Sequence, residues 1–363
     1  MRKEFLSYLL VPREQLATCL VLVCTVLTAA QNASQPKFTV KPLTLPGSSG
    51  LVVLDYIAYD AVSHRVWVLA GNTGNVDVID TTNDNVVGIA GFATGQVEFR
   101  GKPRVMGPSS VSVGDGVVFI GNRANSQICM VDARALKKGD CIAVAPVSAG
   151  LAAAPDGLIY IAATKELWVT SGAPPLGIPA AELAIKIFDA SQPRHLKPAG
   201  KIPLPGSAEG YAVDNEHGLF YTNLEEIGRT VAIDVRKRTV LSNWRSCEDP
   251  SGVAVDRKRS FVFVACVDHI LALDAVHDGR VLGSLMTGAG VDNIDYAEDD
   301  QLLYVAAATA AKLAIAKVDD HGAMSAIATV PTTAGVRSVI AAGHERAYLI
   351  NPIGGRILKV ERQ

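Results

Sequence analysis

Two stretches decide the fold, RVWVLA (65–70) and VDVIDTTNDNVVGIAG (76–91), because runs like the first recur along the chain. Each run holds an aromatic residue among β-branched or aliphatic neighbours, a composition typical of half-buried strands. The aromatic residues are Trp67, Phe119, Tyr160, Tyr221, Phe263, Tyr304 and Tyr348. Their spacings are 52, 41, 61, 42, 41 and 44 residues. A spacing of about 42 residues is the length of a four-stranded repeat unit.

A second repeated residue, an aspartate, supports this division into seven copies. Asp80, Asp132 and Asp234 each end an apolar run thirteen residues after the aromatic residue. Copy five has Asp274 two residues early, and copy three has Asp189 sixteen residues late. Because aspartate side chains bond nearby backbone amides, we expect a turn role for these residues and no catalysis. The repeat predicts an all-β, seven-bladed β-propeller whose blades each order four strands as A, B, C and D.

The two ends of the chain are expected to meet in one blade. The seventh copy ends just after its third strand, RILKVER (356–362). The apolar segment FTVKPLTL (38–45) is otherwise unassigned and can supply the missing outer strand. Such pairing removes an exposed sheet edge, so we expect an N-terminal strand to complete the last blade.

The N-terminus has the pattern of a targeting segment. An uncharged apolar run, 16–30, follows basic residues at Arg2, Lys3 and Arg13. Its length suits a signal-peptide core better than a membrane span, although an uncleaved anchor is the alternative. We therefore expect residues 1–30 to be a signal peptide and 31–363 a single propeller domain. The protein would then be periplasmic or extracellular, with no stable membrane span in the mature chain.

Cysteine usage agrees with export. Outside the targeting segment the chain has Cys129, Cys141, Cys247 and Cys266. An even number of cysteines favours disulfides in an oxidising compartment. Pairing of sequence neighbours, Cys129 with Cys141 and Cys247 with Cys266, is the simplest expectation, and two other pairings are open. No CxxC motif is present, so zinc and thioredoxin-like sites are not indicated.

The overall charge does not indicate a nucleic-acid partner. Formal net charge is −2 at pH 7, which gives no electrostatic reason to expect nucleic acid. We expect a small molecule or a protein as the partner, bound by a monomer.

Candidate site residues lie where strand A opens in each copy. The series is Asp55, Ser109, Gly150, Glu209, Ser251, Asp292 and Arg337. Equivalent positions of separate blades converge around the central channel, so three acids and one arginine are expected at one mouth. Converging carboxylates repel each other unless a cation, a proton or the arginine compensates them, and a hard cation such as Ca²⁺ takes oxygen ligands. Asp55, Glu209 and Asp292 are therefore candidate metal ligands, although hydration of the channel is the alternative. Asn293, Asn223 and His269 complete the expected ligand-binding set.

Two insertions are expected over the same mouth. One is 92–107, between copies one and two, and the other is about 170–184, in copy three. Insertions concentrated on one face indicate a binding surface, and loop drift is the competing explanation.

VDVIDTTNDNVVGIAG resembles the repeats of YVTN/YncE-like propellers, and the resemblance covers roughly residues 38–363. It implies an exported seven-bladed propeller that binds a ligand or partner without catalysis. A more distant resemblance is to gluconolactonase-like propellers, which hold a divalent ion with acids and asparagine at strand A openings. EGYAVD (209–214) is similar to the inner strand of that family. That family has six blades, and no asparagine here occupies a matching position. A metal-dependent lactonase is thus the alternative function, and no cofactor is assigned with certainty.

Overall fold

The computed structural model describes residues 36–99, 102–144, 155–171 and 183–363. The expected signal peptide, 1–30, lies outside the described residues. Within them, the strands form seven four-stranded antiparallel sheets and one two-stranded hairpin. The predicted seven-bladed, all-β propeller is confirmed.

The strands are given in chain order, and the first, β1, spans Phe38–Thr44. Blade 1 contains β2 (Ile57–Asp60), β3 (Arg65–Ala70), β4 (Asn75–Asp80) and β5 (Val86–Ile89). A hairpin of β6 (Gly95–Phe99) and β7 (Lys102–Met106) follows. Blade 2 contains β8 (Pro108–Gly114), β9 (Val117–Asn122), β10 (Gln127–Asp132) and β11 (Lys137–Ala143). Blade 3 contains β12 (Leu158–Ile161), β13 (Glu166–Val169), β14 (Ala184–Asp189) and β15 (Lys197–Pro203).

Blade 4 contains β16 (Ala208–Asp214), β17 (Leu219–Leu224), β18 (Arg229–Asp234) and β19 (Thr239–Arg245). Blade 5 contains β20 (Val253–Asp256), β21 (Phe261–Ala265), β22 (His269–Asp274) and β23 (Arg280–Met286). Blade 6 contains β24 (Val291–Ala297), β25 (Leu302–Ala307), β26 (Lys312–Val318) and β27 (Met324–Pro331). Blade 7 contains β28 (Val339–Ala341), β29 (Arg346–Asn351) and β30 (Arg356–Arg362).

The N-terminal strand completes blade 7, as predicted. β1 pairs with β30 antiparallel, in a register that runs from Phe38 opposite Arg362 to Thr44 opposite Arg356. Leu43 and Leu45 are buried in the seam between blades 7 and 1, beside Ile357 and Val66. The first and last strands of the propeller therefore share one sheet, and that sheet packs on the first blade.

One residue with left-handed backbone precedes the second strand of every blade. These residues are His64, Gly116, Lys165, Gly218, Ser260, Gln301 and Glu345, with φ between 46° and 75°. The tight turn between the two innermost strands requires this conformation, which glycine adopts freely and other residues adopt at a cost. The position marks the start of the second strand more sharply than any apolar pattern does.

This marker corrects the sequence interpretation of blade 3. Tyr160 was expected on the second strand, but it lies on β12, the innermost strand, which lines the channel. Trp168 on β13 takes the place of the repeated aromatic residue, directly after the turn at Lys165. Inner and second strands are both apolar, so an aromatic residue in an apolar run does not distinguish them.

The core lies between neighbouring blades. Trp67, Phe119 and Phe263 are fully buried on second strands, and each packs against the next or the previous blade. Full burial of an aromatic side chain contributes roughly 1.5–3 kcal/mol. The repeated aromatic residue is therefore the main packing element of its seam.

The aspartates that end third strands act in turns, as predicted. The Oδ1 atom of Asp132 accepts bonds from the backbone amides of Arg134 and Ala135, at 2.9 and 2.7 Å. Asp234 accepts the equivalent pair from Arg236 and Lys237. These bonds, with Arg194, lower the pKa of Asp132 to about 2.

Both expected disulfides are formed. Cys129 on β10 is bonded to Cys141, its direct partner on β11. Cys247, after β19, is bonded to Cys266, after β21, and so joins blades 4 and 5. Two disulfides indicate an oxidising, exported environment.

Helical structure contributes little to the described ranges. None of the helices found there is long and apolar enough to cross a membrane.

Candidate functional site

The corrected register of blade 3 adds an acid to the channel mouth. Asp55 precedes Trp67 by twelve residues, and Asp156 precedes Trp168 by the same number. The opening residue of blade 3 is therefore Asp156, and not Gly150, which lies outside the described residues. Four acids and two arginines meet at this mouth, and we call them the charged ring: Asp55, Asp156, Glu209, Asp292, Arg123 and Arg337.

Arg337, from blade 7, bridges two acids of the ring. Its Nη2 atom donates to Oδ1 of Asp55 at 2.9 Å, and its Nη1 atom lies 3.1 Å from Oδ2 of Asp292. Asp55 and Asp292 together raise the pKa of Arg337, so the guanidinium stays charged. Of the three compensations that the sequence left open, the arginine is therefore the one present at Asp55 and Asp292.

Arg123 is the second bridging arginine, and it follows β9 of blade 2. Its Nη2 atom lies 2.5 Å from Oδ1 of Asp156, and its Nη1 atom lies 3.9 Å from Oδ2 of Asp55. Arg123 and Asp156 are only 7% and 6% exposed. Burial raises the pKa of Asp156, and the charge of Arg123 opposes that shift. Arg123 is not among the site residues predicted from the sequence, because only the fold brings it to Asp156.

Glu209 differs from the other acids of the ring. Among the described residues it has no ion pair, and its nearest polar partner is the Tyr56 hydroxyl at 3.5 Å. Burial raises its pKa well above the usual range, and the neighbouring Asp156 and Asp292 raise it further. Around the mouth, acidic and basic side chains alternate in the order Asp292, Arg337, Asp55, Arg123 and Asp156. Glu209 stands outside this alternating series.

Two tyrosines form the floor of the mouth. Tyr56 of blade 1 and Tyr211 of blade 4 stack across the channel with ring centroids 5.4 Å apart. The inner strands of neighbouring blades also form backbone hydrogen bonds at this level of the channel, since Gly252 N donates to the Asp292 carbonyl at 2.8 Å. The channel is therefore narrow at the charged ring.

Below this floor the channel widens into a cavity of about 400 Å³. All seven inner strands line it, and none of the six charged-ring residues does. Arg257 and Glu298 stand at its far end, on the turns that follow β20 and β24.

The hairpin of β6 and β7 confirms that the 92–107 insertion reaches the mouth. Arg104 on β7 interacts electrostatically with Arg337, Asp55 and Arg123, and burial lowers its pKa. Gly107 anchors the hairpin base, since a Cβ there would lie 2.1 Å from the Gly71 carbonyl oxygen. Most of the second insertion, 172–182, lies outside the described residues.

The remaining candidate residues have different surroundings. Asn293 lines the cavity and its Nδ2 atom donates to Ser338 Oγ at 3.3 Å. Asn223 is fully buried, where it donates to the Ser251 carbonyl at 2.6 Å and accepts from Thr230. This amide stabilises the seam between blades 4 and 5, so the structure gives it no route to a ligand. His269 is half-buried and pairs with Asp268 at 2.8 Å.

The proposed metal ligands do not form a metal site by geometry. In the described ranges, no three His, Cys, Asp or Glu side chains are grouped so that they could hold a metal ion. Asp55, Glu209 and Asp292 stand at one mouth, but two of them bind Arg337 instead. Metal binding by these residues remains a prediction without geometric support.

Comparison with known proteins supports the fold alone. No protein-family model and no curated protein matches the chain. Among solved structures, virginiamycin B lyase from Staphylococcus aureus is similar with a TM-score of 0.66 and 10% identity, over 90% of this chain and 99% of that one. The hydrazine synthase of Kuenenia stuttgartiensis gives 0.66 and 13%, over 88% and 97%. The WD40 repeats of RRP9 give 0.67 and 9%, over 91% and 98%.

Proposed function

We propose that this protein is an exported, non-catalytic, YncE-like propeller that binds a small positively charged ligand at the channel mouth, beside Glu209. The interruption of charge alternation at Glu209 is the observation that supports this proposal. Four ring acids face two bridging arginines, and Arg104 of the hairpin interacts with both arginines and with Asp55. At the strand openings, blades 4 and 5 contribute Glu209 and Ser251, neither of which is basic.

A cation at this position would restore the alternation. Burial, Asp156 and Asp292 raise the pKa of Glu209, which favours its neutral form. A bound ammonium or guanidinium group favours the ionised carboxylate, so binding would release a proton. The Tyr56 hydroxyl lies 3.5 Å from Oε1 of Glu209 and adds a polar group next to the acid.

Calorimetric titration with methylguanidine and spermidine tests the proposal, with acetate as the anionic control. We expect saturable binding of at least one cation at about pH 8 and weaker binding at about pH 5.5. Glu209→Gln should weaken binding at least about tenfold, or about 1.4 kcal/mol. Glu248→Gln makes the same change at an exposed acid and should bind like the wild type. Equal binding by both variants, or no binding of either cation, would refute the proposal.

A metal-dependent lactonase is the second candidate function, because no observed contact supports it. It requires Ca²⁺ or another divalent ion at Asp55, Glu209 and Asp292, where Arg337 already compensates two carboxylates. A melting temperature that rises with Ca²⁺ or Mn²⁺ relative to EDTA, together with lactone turnover, would reverse this order.

A further inference from the structure

We propose that the channel contains a second binding site, below the charged ring and open at the opposite face, for a small neutral polyhydroxylated molecule of monosaccharide size. This site is the cavity lined by the seven inner strands. The proposal does not depend on the cation site at the mouth.

The cavity is separated from the mouth by its own ceiling. Tyr56 and Tyr211 stack across the channel and line the cavity, and the Tyr56 hydroxyl lies 3.5 Å from Glu209 of the charged ring. At the same level Tyr56 N donates to the Ser109 carbonyl at 3.2 Å, and Asn293 N donates to the Arg337 carbonyl at 3.1 Å. A ligand that enters from the charged ring would have to break these contacts.

The opposite end of the cavity is the accessible one. Arg257 and Glu298 lie there, 2.5 Å apart, and the Arg257 side chain is 49% exposed. Both follow the ends of inner strands, on the face that carries the tight turns. A volume of about 400 Å³ falls at the lower end of the range for small-molecule sites. It accommodates one sugar-sized molecule.

The lining favours a ligand with many hydroxyl groups. Each inner strand is the terminal strand of its sheet, so one backbone edge of every blade faces the channel. Such an edge presents N–H donors and C=O acceptors in alternation, and these groups need partners when water is excluded. Where side chains are near, they already serve as partners: Ser112 Oγ accepts from Tyr160 N at 2.9 Å, and Asp295 Oδ2 accepts from Ala341 N at 2.7 Å. Hydroxyl groups, which both donate and accept, match this surface best.

Aromatic side chains complete the match. Five tyrosines line the cavity: Tyr56, Tyr59, Tyr160, Tyr211 and Tyr296. Tyrosine presents an apolar face together with a polar tip. The faces of Tyr56 and Tyr211 stack on each other and Tyr160 stacks on Phe119, so the edges and hydroxyl groups of these rings are the parts that a ligand would contact.

The charge of the lining favours a neutral ligand. Arg257 is paired with Glu298, so neither of these two charges is uncompensated. Asp295, deeper in the cavity, has its pKa raised to about 6 by burial, although the bond from Ala341 opposes the shift. Because Ala341 N donates to Asp295 Oδ2 at 2.7 Å, this carboxyl group already has a partner within the protein.

Saturation-transfer difference NMR with glucose and myo-inositol tests this site. NMR is preferred to melting temperature because sugars stabilise folded proteins without binding them. We expect saturable signals with the wild type and unchanged binding by Glu209→Gln, which separates this site from the mouth. Val255→Trp fills the cavity from blade 5 and should weaken binding at least about tenfold. Val62→Trp places the same residue on an exposed turn, where Val62 is 94% exposed, and should bind normally.

Two results would overturn the proposal: no saturable signal with either polyol, or equal binding by Val255→Trp and Val62→Trp. If Val255→Trp fails to fold by circular dichroism, Ile340→Trp fills the same cavity from blade 7. Competition of methylguanidine with glucose in the wild type would place both ligands in one site and would also refute a separate cavity site.

Discussion

Arg337 and Asp55 lie 282 positions apart in the chain, and the guanidinium of the first donates to the carboxylate of the second at 2.9 Å. The same guanidinium reaches Asp292, so one side chain of blade 7 links blades 6 and 1. The bridge stands at the mouth of the channel, on the side where the propeller closes. It contributes to the site and to the closure of the fold at once.

Replacing Arg337 with alanine should destabilise the protein by about 2–3 kcal/mol, because Asp55 and Asp292 then face each other without a counter-charge. The figure is below that of a fully buried pair because the Arg337 side chain is 37% exposed. Burial raises the pKa of Asp292, so the loss should shrink at acidic pH, where this carboxylate is protonated. Urea unfolding at several pH values measures both effects.

The control for this variant is Arg362→Ala. Arg362 pairs with Glu345 at an exposed position, where an ion pair contributes at most about 1 kcal/mol. Equal losses of unfolding free energy in the two variants would show that the Arg337 bridge contributes no more than an exposed ion pair.

Asp77 should make stability depend on pH. It is fully buried on β4, its two carboxylate oxygens have no hydrogen-bond partner among the described residues, and burial raises its pKa to about 7. The folded state therefore binds the proton more tightly than the unfolded state, so stability should fall as pH rises from about 4 to about 7. Asp77→Asn should reduce this fall and stabilise the protein by up to about 4 kcal/mol at pH 8, while other buried carboxyl groups such as Asp295 keep their share of it.

Asp299→Asn is the matched control, since that side chain is 85% exposed and should leave the pH profile unchanged. Urea unfolding from pH 4 to 8 gives the comparison. A wild-type profile that is flat over this range would contradict the assignment to Asp77.

Removal of β1 should open the propeller. A chain that begins at Leu45 loses the seven residue pairs with β30 and leaves that strand as a free edge. We expect a lower melting temperature, faster amide exchange at Leu358 and Val360, and association in light scattering. A chain that begins at Pro36 keeps β1 and should behave like the full-length protein; equal behaviour of the two shortened chains would exclude a closing role.

Each disulfide should stabilise the fold by about 3 kcal/mol through restriction of the unfolded chain, because the bridges join cysteines 12 and 19 residues apart. Replacing Cys129 and Cys141 together with serine, and separately Cys247 and Cys266, should produce similar losses in urea unfolding. Loss of activity in binding assays is expected only for the second pair, which lies near Ser251 at the mouth. Stability unaffected by reducing agent would contradict this prediction.

The sequence predicted the architecture well because packing and turn chemistry repeat with the blades. Seven aromatic runs, turn aspartates such as Asp132 and the segment 38–45 each reflect a local requirement that every blade shares. Blade 3 was the exception, since Tyr160 and Trp168 both sit in apolar runs eight residues apart. Only the left-handed turn at Lys165 separates the two strands.

The site was predicted in part. Asp55, Glu209, Asp292 and Arg337 do meet at one mouth, because equivalent positions of a propeller converge. Asp156 was not predicted, because Tyr160 was taken as the repeated aromatic residue of blade 3. Counting twelve residues back from Trp168 instead identifies Asp156. Arg123 could not be found this way, because its contact with Asp156 depends on a loop conformation and not on the repeat.

The sharing of one blade by β1 and β30 also sets an order of events in biosynthesis. Thr39 and its partner Glu361 are 322 positions apart, so the strand made first waits for the strand made last. Blades 1 to 6 consist of consecutive segments and can assemble as the polypeptide emerges from the ribosome or the translocon, whereas ring closure requires the far end of the propeller. Without β30, the N-terminal strand β1 lacks its partner, and an unpaired strand favours association with other chains. Only a propeller that has been synthesised through β30 can therefore close its ring.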